Sequence, residues 1–120
     1  MQIIQCLHTA ILVADLEAAA HFYGTILGLP QVDRSLKFPG IWYEVGGYQI
    51  HLMQADGYAV ALTHPEKWGR NPHIAFAVAD LEAAKARLQM HHCPVQLSAS
   101  GRAALFTQDP DGNVIELSQG

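Results

Sequence analysis

The 120-residue chain has few residues of several informative kinds. It has only two cysteines, Cys6 and Cys93, so a disulfide-dense scaffold is excluded. Their spacing is not that of a cysteine metal-binding motif. Only 15% of the residues are charged, and the seven Lys and Arg form no run, so we expect no nucleic-acid partner. No apolar run reaches the roughly 18 residues of a membrane span, so we expect no membrane partner. The first residues lack a secretory signal pattern, and we expect a cytoplasmic protein.

The remaining composition is that of an ordinary folded protein. Half of the residues are apolar and the formal net charge is −4. This length predicts a single domain over residues 1–120 that can bury a core without disulfides. Seven histidines are present, a high number for a chain with this little charge.

The chain contains an internal duplication with an offset of 65 residues. The sequence ADLEAA occurs at 14–19 and again at 79–84, and nine of the twelve positions in 8–19 are identical in 73–84. The same offset places Gly47 over Gly112 near the other end of each copy. The period is too long for a solenoid repeat and matches a small α+β module. We therefore predict module one at 1–55, a linker at 56–71 and module two at 72–120.

Each module is predicted to have the element order βαβββ. Asp15 and Asp80 are good helix N-caps, and Gly28 suits the end of the first helix. Gly46-Gly47 and Asp109-Pro110-Asp111-Gly112 are strong turn signals before the last strand of each module. The predicted strands are 3–13, 30–36, 40–46 and 48–54 in module one, and 73–78, 94–98, 103–108 and 113–118 in module two; the second helix is predicted to end near Met90.

The duplication relates four side chains that can bind a metal. His8 corresponds to His73 at the start of the first strands, and His51 corresponds to Glu116 within the last strands. An ionised Glu116 on a buried strand face requires a metal or a cationic partner. The alternative is that these side chains face solvent on half-exposed strands. One metal site would explain all four positions together, so we favour that interpretation.

At these positions the sequence resembles the vicinal oxygen chelate superfamily, which includes glyoxalase I, the fosfomycin and bleomycin resistance proteins, methylmalonyl-CoA epimerase and the extradiol dioxygenases. The resemblance covers nearly the whole chain and is carried by Leu7-His8-Thr9, Asp15-Leu16, Phe22-Tyr23 with Leu27-Gly28-Leu29, Asp109 to Asn113, and Ile115-Glu116-Leu117. It implies two tandem βαβββ modules whose curved mixed sheets form a metal-centred cleft. It also implies a homodimer that acts on a small-molecule substrate.

The resemblance assigns metal-ligand positions to His8, His73 and Glu116. His51 falls where glyoxalase I has a carboxylate and the epimerase a glutamine, so a histidine there departs from the family pattern. Three imidazoles and one carboxylate suit Ni, Co, Zn, Fe or Mn. Glu116 or His51 could act as the catalytic base beside a metal that stabilises a developing oxyanion. His51 could equally be a ligand only.

Arg34, Trp42 and Arg102 flank the ligand-bearing strands and are candidate substrate-binding residues. The alternative for them is solvated loop charges and a core aromatic residue. The favoured function is a glyoxalase-like lyase or isomerase acting on a small oxygenated substrate. Leu12 stands where glyoxalase I has an arginine, which argues against that enzyme itself. Thiol transfer, extradiol dioxygenase-like chemistry and metal-free small-molecule binding, as in resistance proteins, remain alternatives.

Overall fold

A computed structural model describes residues 1–34 and 37–120 and divides the chain into two compact units, unit 1 at 1–58 and unit 2 at 59–120. Each unit contains one four-stranded mixed sheet with a helix after its first strand. This arrangement confirms the predicted α+β class and the two βαβββ modules.

Unit 1 has the strand order β1-β4-β3-β2, in which β1 and β4 are parallel and the other neighbours are antiparallel. Its helix α1 continues into one π-helical segment, in which the Leu27 amide donates to the Phe22 carbonyl. The elements are β1 His8–Val13, α1 Leu16–Ala20, the π-helix His21–Ile26, β2 Gln31–Val32, β3 Gly40–Val45 and β4 Tyr48–Gln54.

Unit 2 repeats the pattern with the order β5-β8-β7-β6, again with one parallel pair, β5 and β8. A 3₁₀ turn precedes its first strand. The elements are the 3₁₀ turn Trp68–Arg70, β5 His73–Val78, α2 Leu81–Met90, β6 Gln96–Leu97, β7 Ala104–Gln108 and β8 Val114–Gln119.

The predicted caps and turns are present. The Asp15 carboxylate accepts hydrogen bonds from the amides of Glu17 and Ala18, and Asp80 accepts one from Ala83. Gly46 and Gly47 both have positive φ, 57° and 79°, which is the conformation of a two-residue hairpin turn that suits twisted strands. Local sequence therefore fixes where the helices begin and where β3 turns into β4.

Some predicted strands are longer than the observed ones. The first begins at His8 rather than at residue 3, because its ladder with β4 ends where the Gln49 amide donates to the Leu7 carbonyl. The strands predicted at 30–36 and 94–98 are reduced to Gln31–Val32 and Gln96–Leu97. Residues 35 and 36 of the first of these lie outside the described residues.

Strand β1 buries one face and exposes the other, whereas β7 and β8 are buried on both faces. In β1, Ile11 and Val13 are buried, while His8, Ala10 and Leu12 lie on the opposite, exposed face. The largest fully buried side chains of unit 1 are Phe22, Tyr23, Tyr43, Ile50 and Leu52, and those of unit 2 are Leu88, Leu105 and Ile115. Within the described part of the chain, no helix is long and apolar enough to cross a membrane.

Candidate metal-binding site

His51 and Glu116 lie at matching points of the two sheets. His51 in β4 lies between Ala10 of β1 and Trp42 of β3. In unit 2, Glu116 of β8 lies between its neighbours on β5 and β7, Ala75 and Phe106. Directly paired residues share a sheet face, so each candidate ligand has an aromatic ring beside it.

In unit 1, His8, His51 and Trp42 form a stack of three rings. The His8 and His51 ring centroids lie 4.2 Å apart with 14° between their planes, and those of Trp42 and His51 lie 4.0 Å apart with 6°. The His51 Nε2 atom is 2.8 Å from the Gln49 Oε1 atom, which orients the ring. Burial, and then the positive charges of His8 and Arg34, lower the pKa of His51. A neutral imidazole is the form that binds metals.

Arg34 adjoins this ring stack. Its guanidinium carbon lies 4.7 Å from the centroid of the Phe38 ring and 5.8 Å from that of Trp42, and its Nη1 atom donates to the Gly40 carbonyl. A cation over an aromatic face is held by the ring quadrupole. Two predicted substrate-binding residues, Arg34 and Trp42, therefore lie beside the predicted ligand His51.

In unit 2, His73 faces Glu116, with 3.3 Å between its Nε2 atom and Oε1 of the carboxylate. The His73 Nδ1 atom lies 2.7 Å from the Asn71 carbonyl oxygen, which can only accept, so Nδ1 carries the proton. In a neutral His73, Nε2 then presents a lone pair to a carboxylate that also only accepts. Two facing acceptors require a positive charge between them, either a proton or a metal ion. A backbone carbonyl behind the ring is the usual support of a metal-binding histidine.

Glu116 is buried, with 8% of its surface exposed, and it has three polar neighbours. The Ser118 hydroxyl donates to its Oε2 atom at 2.8 Å, and the Arg102 Nη1 atom lies 3.6 Å from the same oxygen. Burial alone would raise the pKa of Glu116, but the hydrogen bond from Ser118 and the nearby charges of Arg102 and His73 lower it overall. The carboxylate is therefore ionised near neutral pH, as metal binding requires.

The structure thus places the four candidate ligands as two pairs, one in each unit. Among residues 1–34 and 37–120, no group of three or more His, Cys, Asp or Glu side chains is positioned to hold a metal ion. The four-ligand set stays a prediction, and the fit rests on the chemistry of each pair.

Two polar side chains orient the candidate ligands. Strand alternation predicts Gln49 on the face of His51 and Ser118 on the face of Glu116, and both make hydrogen bonds to these residues. Their role as hydrogen-bond partners was not predicted. Asn71 orients His73 through its backbone carbonyl, for which the side-chain identity provides no signal.

Comparison with known proteins agrees with this architecture. The chain is 29% identical to human mitochondrial methylmalonyl-CoA epimerase over 127 residues, covering 93% of this chain and 72% of the epimerase. Among solved structures, lactoylglutathione lyase from Agrobacterium tumefaciens has a TM-score of 0.69 and 25% identity, with 97% of this chain and 93% of that chain covered.

A mutant fosfomycin resistance protein from Listeria monocytogenes, solved with Mn(II) and 1S,2S-dihydroxypropylphosphonic acid, has a TM-score of 0.78. Its identity is 18%, with 99% of this chain and 94% of that chain covered, so it supports the fold alone. The family model that matches residues 5–117 covers nearly the whole chain. The chain therefore belongs to the glyoxalase/bleomycin resistance protein/dioxygenase superfamily.

Proposed function

We propose that the chain is a divalent-metal-dependent, glyoxalase-like enzyme, a lyase or isomerase acting on a small oxygenated substrate. The observation that carries this proposal is the His73–Glu116 pair, in which an oriented imidazole nitrogen and a carboxylate oxygen face each other at 3.3 Å. The names of two relatives, an epimerase and a lyase, support the same reaction class.

The proposed ligands are His8 and His51 from unit 1 and His73 and Glu116 from unit 2. A divalent cation held by these residues would supply Lewis-acid stabilisation of negative charge developing on a substrate oxygen. Ni, Co, Zn, Fe and Mn all suit such a nitrogen and oxygen donor set. The Gln49 side chain and the Asn71 carbonyl would keep two of the imidazoles in place.

We assign proton transfer to Glu116. Its carboxylate is ionised and can accept a proton, while Ser118 and Arg102 hold the Oε2 atom and leave Oε1 directed toward His73. His51 is the alternative base, because its lowered pKa keeps it neutral near pH 7. Arg34, Trp42 and Arg102 are proposed to contact the substrate. We also propose a cytoplasmic location and a homodimeric state, the second of which sedimentation of the purified protein would test.

Metal analysis and one substitution test this function. The purified protein should bind a transition metal stoichiometrically, and Glu116→Gln should lower turnover at least about a hundredfold while the protein stays folded. Glu82→Gln on helix α2, which removes an exposed carboxylate paired with Lys85, is the matched control and should leave turnover unchanged. A protein that neither contains nor takes up Ni, Co, Zn, Fe or Mn contradicts the proposal.

The reaction itself can be identified with four substrates assayed side by side. A methylglyoxal–thiol adduct and methylmalonyl-CoA test the lyase and isomerase chemistry, and a catechol with oxygen uptake tests the dioxygenase alternative. Thiol addition to an epoxide tests the transferase alternative. Turnover of the catechol alone would identify the protein as a dioxygenase, and turnover of the epoxide alone would identify it as a thiol transferase.

A metal-free binding protein is the second candidate, and one observation favours it. The Arg102 guanidinium lies 3.6 Å from Glu116, so it can balance the carboxylate charge without a metal. In that case metal addition would leave thermal stability unchanged and Glu116→Gln would alter ligand affinity only.

A further inference from the structure

Unit 2 contains an open cavity of about 430 Å³, and Arg102 is the one lining residue that the proposed function uses. It lies between the segment that precedes β5, strand β6 and the loop that leads into β7. We call it the basic cavity, and its lining residues are Glu66, Lys67, Gly69, Arg70, residues 96–100, Arg102 and Phe106. Its volume is within the usual range of small-molecule sites, roughly 300–1,000 Å³.

The charge of the basic cavity is opposite to that of the whole protein. Lys67, Arg70 and Arg102 contribute three positive charges and Glu66 contributes one negative charge, whereas the formal net charge of the chain is −4. The Glu66 side chain is 65% exposed and its carboxylate lies 3.8 Å from the His64 Nδ1 atom, so the lining keeps an excess of positive charge. Phe106 contributes an apolar wall. Such a combination of cations and an apolar wall suits a ligand that has an anionic group and an apolar group.

The segment that carries Lys67 and Arg70 is held rigidly. The buried Asn71 side chain accepts from the His64 amide and donates to the carbonyls of His64, Lys67 and Trp68. Gln96 of β6 accepts from the Trp68 amide and donates to the Glu66 carbonyl.

Gly69 adds a close contact with the sheet. A Cβ atom on Gly69 would lie 2.5 Å from the Phe106 ring, so the backbone packs directly on that side chain. The backbone that carries Lys67 and Arg70 is therefore preorganised, which lowers the entropy lost when a ligand binds.

We propose that the basic cavity binds the anionic head group, a carboxylate or a phosphate, of a small molecule whose apolar part packs against Phe106. Arg102 connects this cavity to the candidate metal-binding site, because its guanidinium lies 3.6 Å from Glu116. The identification of this molecule as the substrate rests on the proposed function. Anion binding itself requires no metal, so the two proposals fail independently.

The test is a titration of the full-length, EDTA-treated protein followed by backbone amide chemical shifts. The probes are benzoate, phenyl phosphate and benzamide, the last being a neutral analogue of benzoate. Benzoate, phenyl phosphate or both should cause saturable shifts at Gly69, Ser98 and Ser100, and benzamide should bind at least about tenfold more weakly. The stronger of the two anions identifies the head group.

Arg70→Gln should weaken anion binding about tenfold, and Lys67→Gln should act in the same direction. Arg87→Gln on helix α2 removes the same charge away from the cavity lining and should leave the dissociation constant unchanged. Benzamide binding as tightly as the stronger of the two anions overturns the proposal, as do shifts confined to residues outside the cavity or equal effects of the Arg70 and Arg87 substitutions. The wild-type comparison of the stronger anion with benzamide is decisive even if one variant fails to fold.

Discussion

His51 and Glu116 occupy the same place in the ladders of their respective sheets. Each lies opposite an alanine on the parallel neighbour strand and opposite an aromatic residue on the antiparallel neighbour, Trp42 for His51 and Phe106 for Glu116. A candidate ligand with an aromatic ring at its side is therefore a feature of both units, and it can be probed optically in unit 1.

Trp42 should report metal binding to His51. Their rings are stacked at 4.0 Å, so a paramagnetic ion such as Co²⁺ or Ni²⁺ on His51 should quench the Trp42 fluorescence. The only other tryptophan, Trp68, donates from its indole to the Pro65 carbonyl. Trp42→Phe should remove most of the metal-induced quenching, and Trp68→Phe should retain it. Quenching that persists in His51→Ala would show that His51 is not a ligand.

Asn71 should be among the most sensitive positions for stability. Its buried side chain makes four hydrogen bonds that hold residues 64–71 together. Replacing it with alanine should lower the free energy of unfolding by about 2–4 kcal/mol, measured by urea denaturation, because the His64 amide loses its acceptor and three backbone carbonyls each lose one of their two donors. Gln89→Ala, at an exposed position of α2, should change it by less than about 0.5 kcal/mol. Similar values for the two variants would refute this role.

Thr107 offers a stabilising substitution. Its side chain is fully buried, and its hydroxyl has no hydrogen-bond partner among the residues described. Thr107→Val keeps the shape and removes the unpaired polar group, so it should stabilise the protein by about 1 kcal/mol. Thr107→Ser keeps the hydroxyl and removes a methyl group, and it should destabilise by about 1 kcal/mol. Thermal unfolding that ranks valine below wild type would contradict this account.

The two thiols should react at different rates. Cys6 is exposed, whereas Cys93 is partly buried and burial raises its pKa. Less Cys93 thiolate is therefore present at a given pH, and its labelling by a disulfide reagent should be the slow phase and should accelerate as the pH rises above 9. Cys6→Ser should remove the fast phase and Cys93→Ser the slow one. A single phase in the wild-type protein would contradict the assignment.

The repeat in the sequence predicted much of this structure. The 65-residue offset relates His8 to His73 and His51 to Glu116, and the observed ladders pair Ala10 with His51 and Ala75 with Glu116 as that offset requires. Helix starts and turns followed from local chemistry, because capping aspartates and paired glycines act on their immediate neighbours.

The aromatic neighbour of Glu116 could not be predicted in this way. The offset places Thr107 in the position of Trp42, but Phe106 occupies it. The Asp109 amide donates to the Asn113 carbonyl, so the turn between β7 and β8 consists of the three residues Pro110, Asp111 and Gly112. The turn between β3 and β4 has only two residues, Gly46 and Gly47. A shift of one residue moves a strand's side chains to the opposite face, so Thr107 is buried behind the sheet and Phe106 faces the site.

The longer second turn also determines how parts could be exchanged between the two halves. A hairpin keeps its internal pairing when it is moved as a whole, because its turn travels with both strands. Grafting β7–β8 in place of β3–β4 would exchange a tryptophan–histidine pair for a phenylalanine–glutamate pair in a single step. Point-by-point substitution at the 65-residue offset would instead place a threonine beside the new carboxylate. The hairpin is thus the smallest segment that can be exchanged between the two units with its strand pairing preserved.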